Sequence, residues 1–242
     1  MDILYVVGNG SAWKNNELRY SLRSIDKNGR NIGRIFICSE TLPKFINPEA
    51  VVHVTFHESG TIKHRNIMDK IEFVMRNTDI ADDFLLSSDD HFYIREADFD
   101  NYPLYHKGEI YEHWESKKEY FRSMIETKRL LLKHGLTTYS TNPHCNTHFS
   151  RALYMEHIAL MDEAKQLQHG GEVNCLMGNL MIAAGVEPVL YEDIKIKRFI
   201  DREELMRMLG DAHCFSIYDN ALEWGIKDYL REQVPDKSRW EK

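Results

Sequence analysis

Two adjacent carboxylates, Asp89 and Asp90, stand between the apolar runs Phe84-Leu85-Leu86 and Phe92-Tyr93-Ile94. Acids placed where a chain leaves and re-enters apolar surroundings need compensation, because an ionised carboxylate buried without a partner is costly. A divalent cation with oxygen ligands, Mn²⁺ or Mg²⁺, supplies it, and the same ion can bridge a diphosphate and stabilise charge on a departing nucleotide. The competing reading is a plain turn in which Ser88 or Asp89 acts as a cap. His213, in Asp211-Ala212-His213-Cys214, is a candidate further ligand of the same ion, against simple packing at a strand end.

Groups suited to the phosphates and base of a nucleotide stand nearby in sequence. Lys63, Arg65, Asn66 and Lys70 offer cationic and amide donors, with Ser88 beside the acidic pair. Arg19 and Arg23, one turn apart on a helix, could also meet phosphate, although a solvated surface role competes in each case. The turn Gly8-Asn9-Gly10-Ser11 could bring backbone N–H groups to a nucleotide, but it is neither a Gly-x-Gly-x-x-Gly fingerprint nor a Walker loop with its lysine. For the acceptor side, His144 lies in the polar, imidazole-rich run 142–148, and Glu172 follows Gly170-Gly171 at the opening of an apolar helix. Each is a candidate catalytic residue. Glu172 serves equally well as a first-turn acid favoured by the helix dipole.

These residues require elements to hold them. Residues 3–7 form a short apolar, β-rich run ending at Gly8-Asn9-Gly10, which predicts a buried strand and a tight turn. Asn16 is positioned to cap a helix on which Leu18, Leu22 and Ile25 share a face, with Gly29 closing it. Strands are predicted over 34–38 and 51–56. Ile67, Ile71 and Val74 then mark a helix that places Lys63, Asn66 and Lys70 together on another face. The strand 84–86 runs directly into the acidic pair, which puts it at a strand's carboxyl end, where ligands of open α/β sheets collect. Beyond residue 100 helices are predicted over 117–133, 152–168 and 172–184, followed by a strand over 188–196. A capping box over 201–204 and a cap at Asp219 or Asn220 complete the pattern. The alternation favours an α/β fold, a mostly parallel sheet flanked by helices with a helical C-terminal elaboration.

Composition narrows the classes. The 242 residues and 43% hydrophobic content suit one α/β core, read as a single domain 1–242 with a nucleotide-binding half, 1–100, and an acceptor-side half, 101–242. The net charge of −7 argues against a surface for nucleic-acid backbone, which needs clustered Lys and Arg. There is no basic leader before a long apolar segment and no stretch of about 20 apolar residues, so a soluble, cytoplasmic protein is expected. Four scattered cysteines without a Cys-x-x-Cys pair read as reduced thiols.

Residues 16–25 (Asn-Glu-Leu-Arg-Tyr-Ser-Leu-Arg-Ser-Ile), 35–37 and 85–92 with the double Asp resemble the second conserved region of the Stealth family of capsular-polysaccharide phosphotransferases, a region itself similar to GT-A type glycosyltransferases. Val7-Gly8-Asn9-Gly10-Ser11 resembles the Val-Asp-Gly-Ser-like turn of the family's first region, with Asn9 where the acid would stand. The stretch 144–151 resembles the family's later His-x-Pro segment, with Asn146 in place of proline, and 214–219 and 235–241 resemble the C-terminal ends of such enzymes. The resemblance covers about the first hundred residues and the remainder in patches. It implies a GT-A-like fold, a nucleotide-sugar donor such as a UDP-sugar, a glycan or other hydroxyl acceptor, and Mn²⁺ or Mg²⁺ held through the double Asp. Two activities follow as expectations: glycosyl transfer, which the loss of the acid at Asn9 favours, and sugar-1-phosphate transfer. A nucleotide-binding module without turnover is the non-enzymatic alternative.

Overall fold

The computed structural model describes residues 1–112, 118–222 and 224–242. In chain order the elements are β1 (Asp2–Val6), α1 (Asn16–Asn28), β2 (Gly29–Arg30), β3 (Ile35–Ser39), β4 (Val52–Thr55), α2 (Lys63–Asn77), β5 (Asp83–Ser87), β6 (His91–Tyr93), β7 (Ala97–Asp98) and β8 (Leu104–His106). They continue with α3 (Glu119–Lys133), β9 (Thr147–Ser150), α4 (Arg151–Glu156), α5 (Ile158–Gln166), α6 (Val173–Ala183), β10 (Pro188–Leu190), β11 (Lys195–Ile196), α7 (Arg202–Leu209), β12 (Cys214–Ile217) and α8 (Trp224–Gln233).

The main sheet runs β4-β3-β1-β5-β9, with the first four strands parallel and β9 antiparallel to β5. Strands covered on both faces read as continuous apolar runs, which is why Ile3-Leu4-Tyr5 and Ile35-Phe36-Ile37 carry no polar alternation. Successive side chains still point to opposite faces. Leu4, Phe36, Phe84 and Leu86 pack against Met68, Ile71 and Val74 of α2 and Leu176 of α6. Ile3, Tyr5, Ile35, Ile37 and Leu85 meet Leu18, Leu22 and Ile25 of α1. A second sheet, β11-β12-β6, buries Phe92, Phe215 and Ile217 against Leu205 and Leu209 of α7 and Ile226 and Leu230 of α8.

The chain is thus mixed α/β with helices flanking a mostly parallel sheet, as expected, and several boundaries shift for identifiable reasons. Asn15, left-handed at φ 59°, occupies the N-cap of α1, while Asn16 begins the helix and returns its amide to the Trp13 carbonyl at 2.7 Å. The single helix expected over 152–168 breaks at His157 into α4 and α5. The strand expected over 188–196 is two short ones, β10 pairing with β8 and β11 with β12. Asp201 caps α7 by accepting from the Glu204 amide at 2.8 Å, as its spacing implies. Asp219 and Asn220 lie in a 3₁₀ turn ahead of α8. Lys117, the expected start of α3, falls outside the described residues. No helix among the described residues is long and apolar enough to cross a membrane.

Candidate functional site

The chain leaves the main sheet at Ser87 and enters the second sheet at His91, and only Ser88, Asp89 and Asp90 span the gap. The crossing is a β-turn in which the His91 N–H donates to the Ser88 carbonyl at 3.3 Å, with Asp89 and Asp90 as its central residues. Because β5 and β6 are both buried, the two carboxylates are held at the seam between apolar layers rather than projected into bulk solvent. Asp90 Oδ2 accepts from Lys195 Nζ at 2.5 Å, and Oδ1 lies 4.0 Å from His91 Nε2. Burial opposes ionisation of Asp90, but Lys195 and the imidazoles of His91 and His144 outweigh it and hold its carboxyl below the ordinary range. Asp89 has no such relief. Burial, then the charges of Asp90 and Glu17, push it up to about 7, with Lys63 opposing. No cationic side chain lies within ion-pair distance of Asp89 among the described residues.

The antiparallel pairing of β9 with β5, Thr147 opposite Leu86, delivers the segment preceding β9 to the same sheet edge. His144 stands there with Nδ1 hydrogen-bonded to Asp193 Oδ2, which also accepts from the His144 backbone N–H at 3.3 Å and from Lys107 Nζ at 3.3 Å. A carboxylate acceptor fixes the proton on Nδ1 and leaves the Nε2 lone pair free. Burial lowers the His144 imidazole despite Asp193, so the ring is neutral near pH 7. Burial would raise Asp193, but the His144 hydrogen bond and the Lys107 charge hold it at about 2. Two neighbouring polar groups have no hydrogen-bond partner among the described residues: both side-chain polar atoms of Asn146, 1% exposed, and Ser216 Oγ, whose residue faces His91 across the β12–β6 ladder.

Ser88, Asp89, Asp90, Lys63 and His144 are therefore brought to one edge of the sheet. Lys63 is exposed in the first turn of α2, which has no side-chain cap and no acidic residue. Gly8, Asn9 and Gly10 follow β1 at the same edge, exposed, and a Cβ at either glycine meets nothing within 4 Å. No protein group crowds these glycines, and Asn9 Nδ2 is engaged with Glu40 at 2.5 Å.

The other candidates are engaged with partners within the chain. Asn66 and Lys70 do not share a solvated face with Lys63. Both are buried, and both bind Glu58, with Asn66 also donating to the Gly60 carbonyl at 2.8 Å and Lys70 to the Val7 carbonyl at 2.9 Å. They tie the 56–62 loop to the end of β1. Arg65 Nε donates to the Lys165 carbonyl of α5 at 2.7 Å. Arg19 and Arg23 hold the C-terminal residues through Glu241, Arg23 Nε at 2.6 Å and Arg19 Nε at 3.3 Å. Glu172 is the N-cap of α6, accepting from the Cys175 N–H at 3.2 Å, with burial raising its carboxyl. His213 sits among the rings of Tyr93, Tyr102, Tyr105 and Tyr191, its carbonyl accepting from Ile94 N–H. With Ser216 facing His91, that is four positions, roughly 13 Å, along the ladder from the point opposite Asp90.

Lys107, Asp193 and Lys195 complete the cluster and were not legible as site residues. Their signal is a break in polarity, Tyr191-Glu192-Asp193, inside a segment whose apolar residues read as one strand. No three His, Cys, Asp or Glu side chains among the described residues converge in a metal-binding group. Two carboxylates do suit a hard cation that keeps water or phosphate in its remaining positions, and Asp89, half-buried with no cationic partner within ion-pair distance among the described residues, fits such an ion. A groove of about 300 Å³ opens at the opposite end of β5, lined by Asp83, Ser150, Leu153, Met181 and Val186, and none of the candidate residues borders it. No protein-family model matches the chain, and no curated protein matches it.

Proposed function

We propose that this protein is a metal-assisted glycosyltransferase that moves a sugar from a nucleotide diphosphosugar, a UDP-sugar by preference, to a hydroxyl of a glycan or other acceptor. The observation that carries the reading is the placement of Asp89 and Asp90 at the carboxyl end of β5, with the Asp193-bound imidazole of His144 at the same edge. The connections reverse at β1, which has β3 on one side and β5 on the other, and ligands of open α/β sheets bind at such a reversal. The same topology is compatible with the GT-A-like fold that the resemblance implies.

Asp89 and the Oδ1 atom of Asp90 would hold Mn²⁺ or Mg²⁺, which when bound supplies charge neutralisation for a diphosphate. Lys63, exposed beside Asp89, adds a cation for the donor phosphates. His144 Nε2 takes the proton of the acceptor hydroxyl as its oxygen bonds to the anomeric carbon and the bond from that carbon to the diphosphate breaks, and Asp193 stabilises the imidazolium that forms. Ionised Asp193 is suited to that role, since its carboxyl titrates at about 2.

Calorimetry of UDP with and without Mn²⁺, on the native chain and Asp90→Ala, tests the donor side. Metal-dependent UDP binding that vanishes in the variant supports the reading, and its persistence in Asp90→Ala removes it. Product analysis across UDP-sugars and acceptors tests the reaction. UDP release marks glycosyl transfer, UMP release marks the sugar-1-phosphate transfer that the Stealth-like stretch 85–92 favours, and binding without product marks a non-catalytic module.

A further inference from the structure

The Asp90–Lys195 pair has a feature that cation binding alone does not require. Lys195 is fixed along its backbone on both sides, since Ser216 N–H donates to the Ile194 carbonyl and Tyr218 N–H to the Ile196 carbonyl, each at 2.9 Å. Its side chain is 11% exposed and that of Asp90 22%, so the contact is shielded enough to matter but reaches solvent. The same ammonium lies 4.9 Å from the ring centroid of Tyr218, whose residue is 47% exposed. The lysine therefore has two electronegative neighbours, a carboxylate inward and an aromatic face outward. Asp89, one residue away, has no cationic side chain within ion-pair distance among the described residues.

We infer that Lys195 is a built-in counter-cation of Asp90: it competes with a divalent ion for that carboxylate and, once displaced, carries its ammonium toward Tyr218, where it can meet an anionic donor group. The inference rests on the reading of Asp89 and Asp90 as a cation site. With Lys195 on Oδ2 and the ion's place at Oδ1, two cations would face each other across one carboxylate, and the repulsion between them in a partly desolvated seam is strong. A flexible four-carbon stem lets the ammonium move by side-chain rotation alone, with β11 left in place. The arrangement makes the carboxylate pair a weaker cation site than its charge implies. It also couples ion and donor positively, because the released ammonium becomes available to phosphate only when the ion is bound.

Mn²⁺ alone is the probe, titrated by calorimetry into the native chain, Lys195→Met and Lys195→Arg. Removal of a half-buried competing charge is expected to tighten Mn²⁺ binding about tenfold in Lys195→Met, while Lys195→Arg stays near native. Equal or weaker affinity in Lys195→Met overturns the inference while leaving the cation site standing. Absence of Mn²⁺ binding in every chain, with or without UDP, defeats the site itself and the inference with it. Should Lys195→Met fail to fold, amine labelling of the native chain read by mass spectrometry decides. Mn²⁺ must increase modification of Lys195, and unchanged or reduced modification refutes the displacement.

Discussion

Acidification should destabilise this protein through histidines that are folded in neutral form, and His213 offers the clearest test. Its imidazole is pushed down from the ordinary 6.5 to about 4, with burial among the surrounding tyrosine rings the cause. The folded-state value lies below the unfolded one, so the associated stability is complete above pH 6.5 and is lost as pH falls toward 4. At pH 5 the unfolded chain has taken up the proton almost completely and the folded chain about a tenth of it. The loss between pH 7 and pH 5 is then about 1.8 kcal/mol for this one group, an upper value because the ring is only partly shielded. His64, lowered to about 4 by burial and then by Lys63 and His169, adds a similar amount.

His213→Phe separates this effect from ordinary packing. The variant loses the contact of Nε2 with the Tyr102 hydroxyl at 3.3 Å, a cost present at both pH values, while removing the proton-binding group altogether. Urea unfolding of native and variant at pH 7 and pH 5 gives two pH differences, and the native loss should exceed that of the variant by about 1 to 2 kcal/mol, with equal m-values. Identical losses in both chains would mean that His213 titrates normally in the fold and that burial does not depress its imidazole.

Three further outcomes are expected. Glu172→Gln should turn over at the native rate, because the amide oxygen can still cap α6 by accepting from Cys175 N–H, whereas Glu172→Ala should lose about 1 kcal/mol in urea unfolding; a large drop in turnover for Gln would return Glu172 to the chemistry. Arg23→Ala leaves Glu241, whose side chain is 2% exposed, with Arg19 as its remaining ion-pair partner. The expected cost is about 2 to 4 kcal/mol, with faster hydrogen exchange across 235–242, and native exchange rates there would show that the arginine does not hold the tail. Gly178→Ala puts a Cβ 2.0 Å from Thr141 Oγ1 and 2.4 Å from its Cβ, so α6 and the chain leading to His144 must separate. A loss of about 1 to 3 kcal/mol is expected, and unchanged stability would mean that the approach relaxes freely.

The elements and the acidic pair were legible for the same physical reason: each is a local pattern. Parallel strands buried on both faces leave uninterrupted runs such as Ile3-Leu4-Tyr5, and a crossing between two sheets leaves two acids flanked by apolar triplets. What the sequence hid is pairing over distance. Arg19 and Arg23 have the spacing of a phosphate-facing helix stripe, yet their partner is Glu241, more than two hundred residues away, and no local pattern announces it. Lys70 has the composition of a solvated helix position, but one buried carbonyl, Val7, and Glu58 are enough to draw it inward. The site divides along the same line. Asp89 and Asp90 come from one turn, whereas the groups that determine their charge, Lys195 and His144 with Asp193, arrive on the connections around β9 and β11. Local patterning therefore locates the acids, and tertiary pairing decides which of them has a charged partner. Asp90 is already matched by a lysine, whereas Asp89, pushed up to about 7, has no cationic side chain within ion-pair distance among the described residues.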